Sequence, residues 1–206
     1  MKINDQELAK FVSMFKHGIY IVRQYTDPRM LLLLQNALPD TISMYPTEVS
    51  EIVALAHWFK NDYMKWSNDP NLIRHEDIPT LLKTRTGRCG EWAIVFTGML
   101  TAMGLRARYV LDLTDHVWSD LVLKNQLIAI DSTVDNPRMG QYAREDSGKK
   151  LSYILAFSPN GGIEDISYWY TRDLVKLQKR RKLDPIPGHL IQAYNEGVRS
   201  AQLVGH

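Results

Sequence analysis

Apolar positions in the first half of the chain recur every three or four residues, the spacing of a single helix face. Leu8, Phe11, Val12, Phe15, Ile19 and Val22 form one such stripe, with Asp5 placed to cap it. Met30 to Leu38 fills a second helix, opened by Pro28 and stopped by Pro39. Val49, Ile52, Val53, Ala56, Phe59 and Tyr63 mark a third, opened by Pro46 and Thr47. These stripes read as core. Pro70 to Pro79 reads as a turn-rich connector. A further helix is predicted to begin at Cys89, with Trp92, Val95, Phe96, Met99, Leu100 and Met103 at helical spacing and Gly104 as its terminator. The period then changes. Arg106–Leu113, His116–Leu123 and Gln126–Asp131 read as short strands, and Leu151–Ser158 and Ile163–Tyr168 as two more around Pro159-Asn160-Gly161-Gly162. Arg144 to Lys150 is polar and reads as a surface loop. Helix returns over Thr171–Lys182 and from Gly188 to about Leu203. Helices followed by a strand meander predict an α+β fold with a mainly antiparallel sheet.

Composition narrows the classes. The chain has 206 residues, enough for one domain with a real core. Its net charge of +2 is too small to make nucleic acid or an anionic membrane the main partner. The basic stretch Lys176, Lys179, Arg180, Arg181 and Lys182 reads as a solvated helix face. The longest apolar run, Met30 to Leu34, is far below the roughly 18 residues that suggest a membrane span. No secretory leader is expected from MKINDQELAK. The one cysteine, Cys89, excludes an internal disulfide and a multi-cysteine zinc site, and fits a reducing cytosol or nucleus.

A lone cysteine is often a small buried hydrophobe. Cys89, however, opens a helix, where partial positive charge favours the thiolate. Of six histidines, His116 begins a strand directly after the Thr114-Asp115 turn. If His116–Leu123 and Gln126–Asp131 pair through a two-residue Lys124-Asn125 loop, Leu123 faces Gln126 and Trp118 faces Asp131. Asp131 then shares a face with His116, one diagonal away, roughly 7–8 Å between backbones. A slip of one residue would send Asp131 to the other face. In that register Cys89 is a candidate nucleophile, His116 its acid–base partner and Asp131 the group that orients the imidazole. Both the core and the triad readings remain open on spacing alone.

The run TGRCGEWAIVFTGMLTAMGLRARYVLDLTDHVWSDL resembles the catalytic core of the cytosolic peptide:N-glycanases, in the transglutaminase-like superfamily. HWFKNDYMKWSNDP upstream and GKKLSYILAFSPNGGIEDISYWYTRD downstream resemble it too, so the likeness runs from about Glu51 to Lys182. The resemblance places the family's triad on Cys89, His116 and Asp131. It implies a transglutaminase/papain-like core, with a nucleophile-bearing helix packed on an antiparallel sheet. It also implies one catalytic domain: N-terminal helices over 1–45, the core over 46–182 and a C-terminal helix over 183–206. The implied reaction is release of N-linked glycan from misfolded or denatured glycoproteins. A Cys thioester forms, and aspartate and a glycosylamine are left, in the cytoplasm or nucleus and in support of ER-associated degradation. By analogy Trp66 lines the cleft near the developing oxyanion, and Trp118 shapes the same pocket. Relatives carry two Cys-x-x-Cys pairs between the segments matching Trp66 and Leu82. Here that interval is SNDPNLIRHEDIPTL, without cysteine, so no zinc or other cofactor is expected. Ser119-Asp120 stand where many relatives have Thr-Glu, and the extra terminal domains of the larger animal enzymes are not expected. In relatives, terminal helices dock proteasome shuttle proteins, which makes such proteins candidate partners. Two other functions stay compatible: acyl transfer to a lysine amine by a transglutaminase, and a non-catalytic binding module like a DNA-damage recognition family of the same fold.

Overall fold

A computed structural model describes residues 5–160, 162–183 and 186–204. The helical first half is as the periodicity predicts. Helix α1 (Asp5–Gln24) is followed by α2 (Pro28–Asn36), whose N-cap Asp27 accepts the Arg29 N–H while Pro28 fills the first turn at no hydrogen-bond cost. Helix α3 (Val49–Trp58) starts two residues after Thr47, because Glu51 accepts the backbone N–H groups of Thr47 and Glu48. The apolar stripe runs on through Phe59 and Tyr63, but those residues widen into a π turn (Phe59–Tyr63) that ends in strand β1 (Lys65–Trp66). The predicted connector is shorter than expected. Asp77 caps α4 (Ile78–Thr84), and Pro79 sits in its first turn, where it supports a helix rather than stopping one. β2 (Thr86–Gly87) pairs in parallel with β1 and leads into α5 (Cys89–Ala102). Gly104, at φ +79°, ends that helix region.

The sheet has the order β6-β5-β4-β3-β7-β8, all antiparallel. Its strands are β3 (Ala107–Asp112), β4 (His116–Leu123), β5 (Gln126–Ile130), β6 (Arg138–Met139), β7 (Ile154–Phe157) and β8 (Ile163–Asp165). The last two are shorter than the sequence suggests. Ser167 donates its hydroxyl to Asp165 and accepts the Ile154 N–H, so the chain leaves the sheet in a 3₁₀ turn over Ser167–Trp169. Of the Pro159–Gly162 connection, Gly161 lies outside the described residues. The Arg144–Lys150 segment is not a free loop. It contains the short helix α6 (Ala143–Asp146), and Arg144 reaches inward to the buried Asp112.

Each sheet face has its own core. Tyr109, Val117, Leu121, Ile130, Leu155 and Phe157 belong to the large core shared with α1 and α5. Within it the Thr97 and Ser119 hydroxyls bond at 2.6 Å, joining α5 to β4. The opposite face carries a smaller core of Val110, Trp118, Ala129, Ile154 and Ala156, closed by Ile166, Tyr170 and Leu177. Leu177 lies on α7 (Leu174–Leu183), whose basic residues are only partly a solvated face. Arg180 donates to Leu151 O, and Arg181 donates to Ser152 O and Asp165 while lying over the Tyr153 ring. Helix α8 (Ile186–Val204) packs Leu190, Ile191 and Tyr194 on the large core, and Asn195 bonds both backbone groups of Ile163.

Candidate active site

Three local devices hold the residues that could do chemistry. The first is the start of α5. Cys89 is its first residue, partly buried, with the helix dipole directed at the sulfur. Just before it, the Arg88 N–H donates to Glu91 Oε2 at 3.0 Å. Glu91 is buried and is held from outside by Arg74, whose Nε and Nη2 donate to its two oxygens. Gly87 is required here, because a Cβ at that position would lie 2.4 Å from Glu91 Cβ.

The second device is the turn between β3 and β4. Asp115 adopts φ +79°, tolerable for an aspartate in a tight turn. Buried Asp112 accepts the Thr114 N–H and hydroxyl at 2.8 and 2.7 Å, and Arg144 Nε at 2.8 Å. This network fixes the turn from which His116 emerges.

The third is the β4–β5 hairpin. Lys124 and Asn125 sit at φ +50° and +63°, the positive pair that a two-residue hairpin loop favours. Leu123 faces Gln126 and Ser119 faces Ile130, the register that brings Asp131 opposite Trp118 one step beyond the ladder. His116 Nε2 donates to Asp131 Oδ2 at 2.7 Å, and the imidazole shares the cleft with Cys89, which helps to raise its pKa. Asp131 Oδ1 accepts the Thr133 N–H and hydroxyl at 3.0 and 2.6 Å. The sulfur, the imidazole and the carboxylate therefore gather in one site.

The electrostatics favour charged partners. Burial pulls the His116 pKa down, but hydrogen bonds to Asp131 and Cys89 and the charge of Asp131 outweigh it and Arg144, raising it to about 9. Burial pushes Asp131 up, yet bonds from His116 and Thr133 hold it below its ordinary value. At neutral pH the imidazole is thus a cation beside the thiol, ready to pair with a thiolate and to give up a proton.

Cys89, Gly90, Tyr109, His116, Val117 and Arg74 are among the residues lining a cleft of about 380 Å³. A larger hollow of about 660 Å³ lies between β5, β6 and Trp169, but none of the three chemistry-bearing residues lines it. The smaller cleft is the site.

Neither tryptophan lines this cleft. Trp66 is not among the cleft-lining residues. It is half exposed on β1, packs edge-on against Trp92, and donates its indole N–H to Asn68 Oδ1 at 3.1 Å. Trp118 is buried in the smaller core, with its indole N–H on the Tyr170 hydroxyl, and its ring backs His116 at 6.1 Å instead of facing the cleft. Residues 116 and 118 share a sheet face by alternation, but His116 opens β4 and lines the cleft, whereas Trp118 lies further along the strand in the smaller core. Sequence reasoning missed Arg74, Glu91, Asp112 and Arg144. Glu91 at the third helical position and the Asp112-x-Thr114 spacing were available as local signals; Arg74 and Arg144 carried none. Among the described residues, no group of three or more His, Cys, Asp or Glu is placed to hold a metal ion.

Comparison with known proteins matches this geometry to a family. The model of the transglutaminase-like superfamily core matches residues 36–132. A peptide-N(4)-(N-acetyl-beta-glucosaminyl)asparagine amidase of Caenorhabditis briggsae is 29% identical over 87% of this chain and 38% of its own length. The protein of the same name from Mus musculus is 30% identical over 63% of this chain and 27% of its own, and that of Kluyveromyces lactis 42% over 47% and 28%. The chain thus spans well under half the length of these relatives. Among solved structures, a chain in the crystal structure of Rad4-Rad23 bound to a 6-4 photoproduct UV lesion superposes with TM-score 0.60, covering 94% of this chain and 56% of that one. At 15% identity this likeness shows the fold alone. A family model spanning the Cys89 helix, the His116 strand and Asp131, with amidases of one name among the relatives, makes the chain similar to the transglutaminase-like superfamily and, within it, to the peptide:N-glycanases.

Proposed function

We propose that the protein is a deglycosylating amidase that cleaves the bond between an N-linked glycan and its asparagine. The observation that carries this reading is Cys89 and His116 lining one cleft, with Asp131 bonded to the imidazole behind it, in a sequence similar to amidases of that name. The Cys89 thiolate attacks the side-chain amide carbon. The backbone N–H groups of the first helical turn have no intrahelical acceptor, so those at Cys89 and Gly90 are the donors best placed for the developing oxyanion. As the C–N bond breaks, His116 passes a proton to the departing glycosylamine nitrogen. The thioester remains. Neutral His116 then takes a proton from water, whose oxygen attacks the thioester carbon, and Cys89 leaves as thiolate, to which the imidazolium is again paired. Asparagine has become aspartate. Asp131 keeps the imidazole aligned through both steps. Every group required is a protein side chain, a backbone amide or water, so this reading includes no cofactor. A permanently reduced thiol also favours the cytosol or nucleus as the site of action.

The test is incubation of a denatured N-glycoprotein with the reduced protein. Free glycan and conversion of the linkage asparagine to aspartate are expected, and Cys89→Ala abolishes both. No release under reducing conditions removes the proposal. Acyl transfer to lysine would instead liberate ammonia and join chains. A proteasome shuttle protein is the partner proposed for the terminal helices α1 and α8; a pull-down that retains none of the full chain rejects that partner alone.

A further inference from the structure

One charged pair at the nucleophile takes no part in the steps above. Glu91 lies two residues after Cys89 in the same helical turn, buried, with one oxygen on the Arg88 N–H. A negative side chain there helps the helix start but opposes a second negative charge on the neighbouring sulfur. Arg74 answers it. Its guanidinium grips both Glu91 oxygens from the irregular segment before α4, and its Nη2 lies only 3.0 Å from where a Gly90 Cβ would stand. The same arginine lines the cleft beside Cys89. Its cation is held first by the hydrogen bonds to Glu91, against burial, and then by the charges of Glu91 and Cys89.

We propose that Arg74 is a positioning residue that cancels the charge of Glu91, so that the carboxylate completing the start of the nucleophile's helix does not oppose the Cys89 thiolate. This rests on Cys89 being the nucleophile. The other titratable groups facing this corner are His75 and Glu76 from the same segment, His17 from α1, Tyr109 from β3, and Asp115 and His116 at the start of β4. His17 pairs with Glu76 at 3.0 Å and His116 with Asp131, whereas Glu91 meets Arg74. An arginine is suited to this task because its planar fork matches a carboxylate at two points and stays charged at every working pH.

The experiment measures the rate of Cys89 alkylation by iodoacetamide between pH 5 and pH 9, with thermal melting to confirm folding. It needs no substrate. Arg74→Met leaves Glu91 uncompensated and slows alkylation about tenfold near pH 6, as expected for one unpaired charge a few ångströms away. Arg74→Lys keeps the charge without the fork and falls between. The decisive variant is Arg74→Met with Glu91→Gln, which removes both charges and returns the rate to within about threefold of the original. A folded Arg74→Met protein that alkylates at the original rate overturns the proposal, as does a double variant no faster than Arg74→Met. If Arg74→Met does not fold, Glu91→Gln alone decides at pH 5: faster alkylation supports the proposal, and an unchanged or slower rate overturns it. Alkylation that follows this pattern in a protein that releases no glycan would defeat the proposed reaction and leave the role of Arg74 standing.

Discussion

Cys89 stands between two walls of opposite construction. On one side is the sheet. His116 and Asp131 are carried on a ladder whose register is set by a tight hairpin with two residues at positive φ, and the 2.7 Å contact between them follows from strand alternation. On the other side is irregular chain. Arg74 has no strand or helix to fix it and is held by its ion pair with Glu91. The sheet wall gets its geometry from repeated backbone hydrogen bonds, each of which constrains the next. The irregular wall has no such ladder and is held by separate side-chain contacts, Arg74 with Glu91, His17 with Glu76 and Gln24 with the backbone of Glu76. Damage to a single side chain should therefore leave the first wall standing with altered chemistry, and should loosen the second at that contact.

The largest effect removes the sulfur that both walls serve. Cys89→Ala should lower glycan release by at least about 10⁴-fold while leaving the melting temperature close to the original, measured by single-turnover assay and calorimetry. Within the sheet wall, Asp131→Asn should keep the strand pairing but offer the wrong hydrogen-bonding group to the imidazole. A loss of about 10³–10⁴-fold in turnover is expected, with unchanged circular dichroism. A loss below tenfold would mean that Asp131 does not orient His116.

The same pair makes a pH signature of stability. The folded pKa of His116 is raised from 6.5 to about 9, so the folded state holds a proton that the unfolded state releases earlier. The stability this contributes is complete below about pH 6.5 and is lost as pH rises through about 9. Melting temperature followed over pH 6–10 should decline across that window, and Asp131→Asn should flatten the decline. At the helix start, Gly87→Ala forces a Cβ against Glu91 Cβ and Cγ, at 2.4 and 2.8 Å, and should cost about 1–3 kcal/mol in chemical denaturation. The smallest effect is expected at Trp66→Phe. The indole N–H is already given to Asn68, so turnover should change by less than about threefold. A loss of about 10²–10³-fold would instead make Trp66 an oxyanion donor.

The legible parts of this protein share one property: their signals are local and periodic. The stripe from Leu8 to Val22 is α1, and the apolar spacing after Cys89 is α5, because a helix that buries one face must repeat at that interval. The hairpin register could be written down from two loop residues, since pairing one position determines all the others. The illegible parts depend on partners far along the chain. Helix α4 begins inside the predicted connector, where the Ile78 N–H donates to Gln24 Oε1, 54 residues earlier. Arg144, in a polar run that reads as loop, is drawn inward by Asp112, 32 residues earlier. Trp118 could be assigned beside His116, but the Tyr170 hydroxyl that takes its indole N–H comes from chain 52 residues away.

The sequence by itself determined the type of the long elements, the place of the sulfur at a helix start and the register that puts a carboxylate beside an imidazole. These follow from backbone periodicity and from hydrogen bonds between near neighbours. Only the tertiary structure decided which charges meet: Arg74 with Glu91 and Arg144 with Asp112. Such contacts join segments whose spacing along the chain carries no period, and each is selected by burial, which leaves a charged group no partner but the one the fold brings to it.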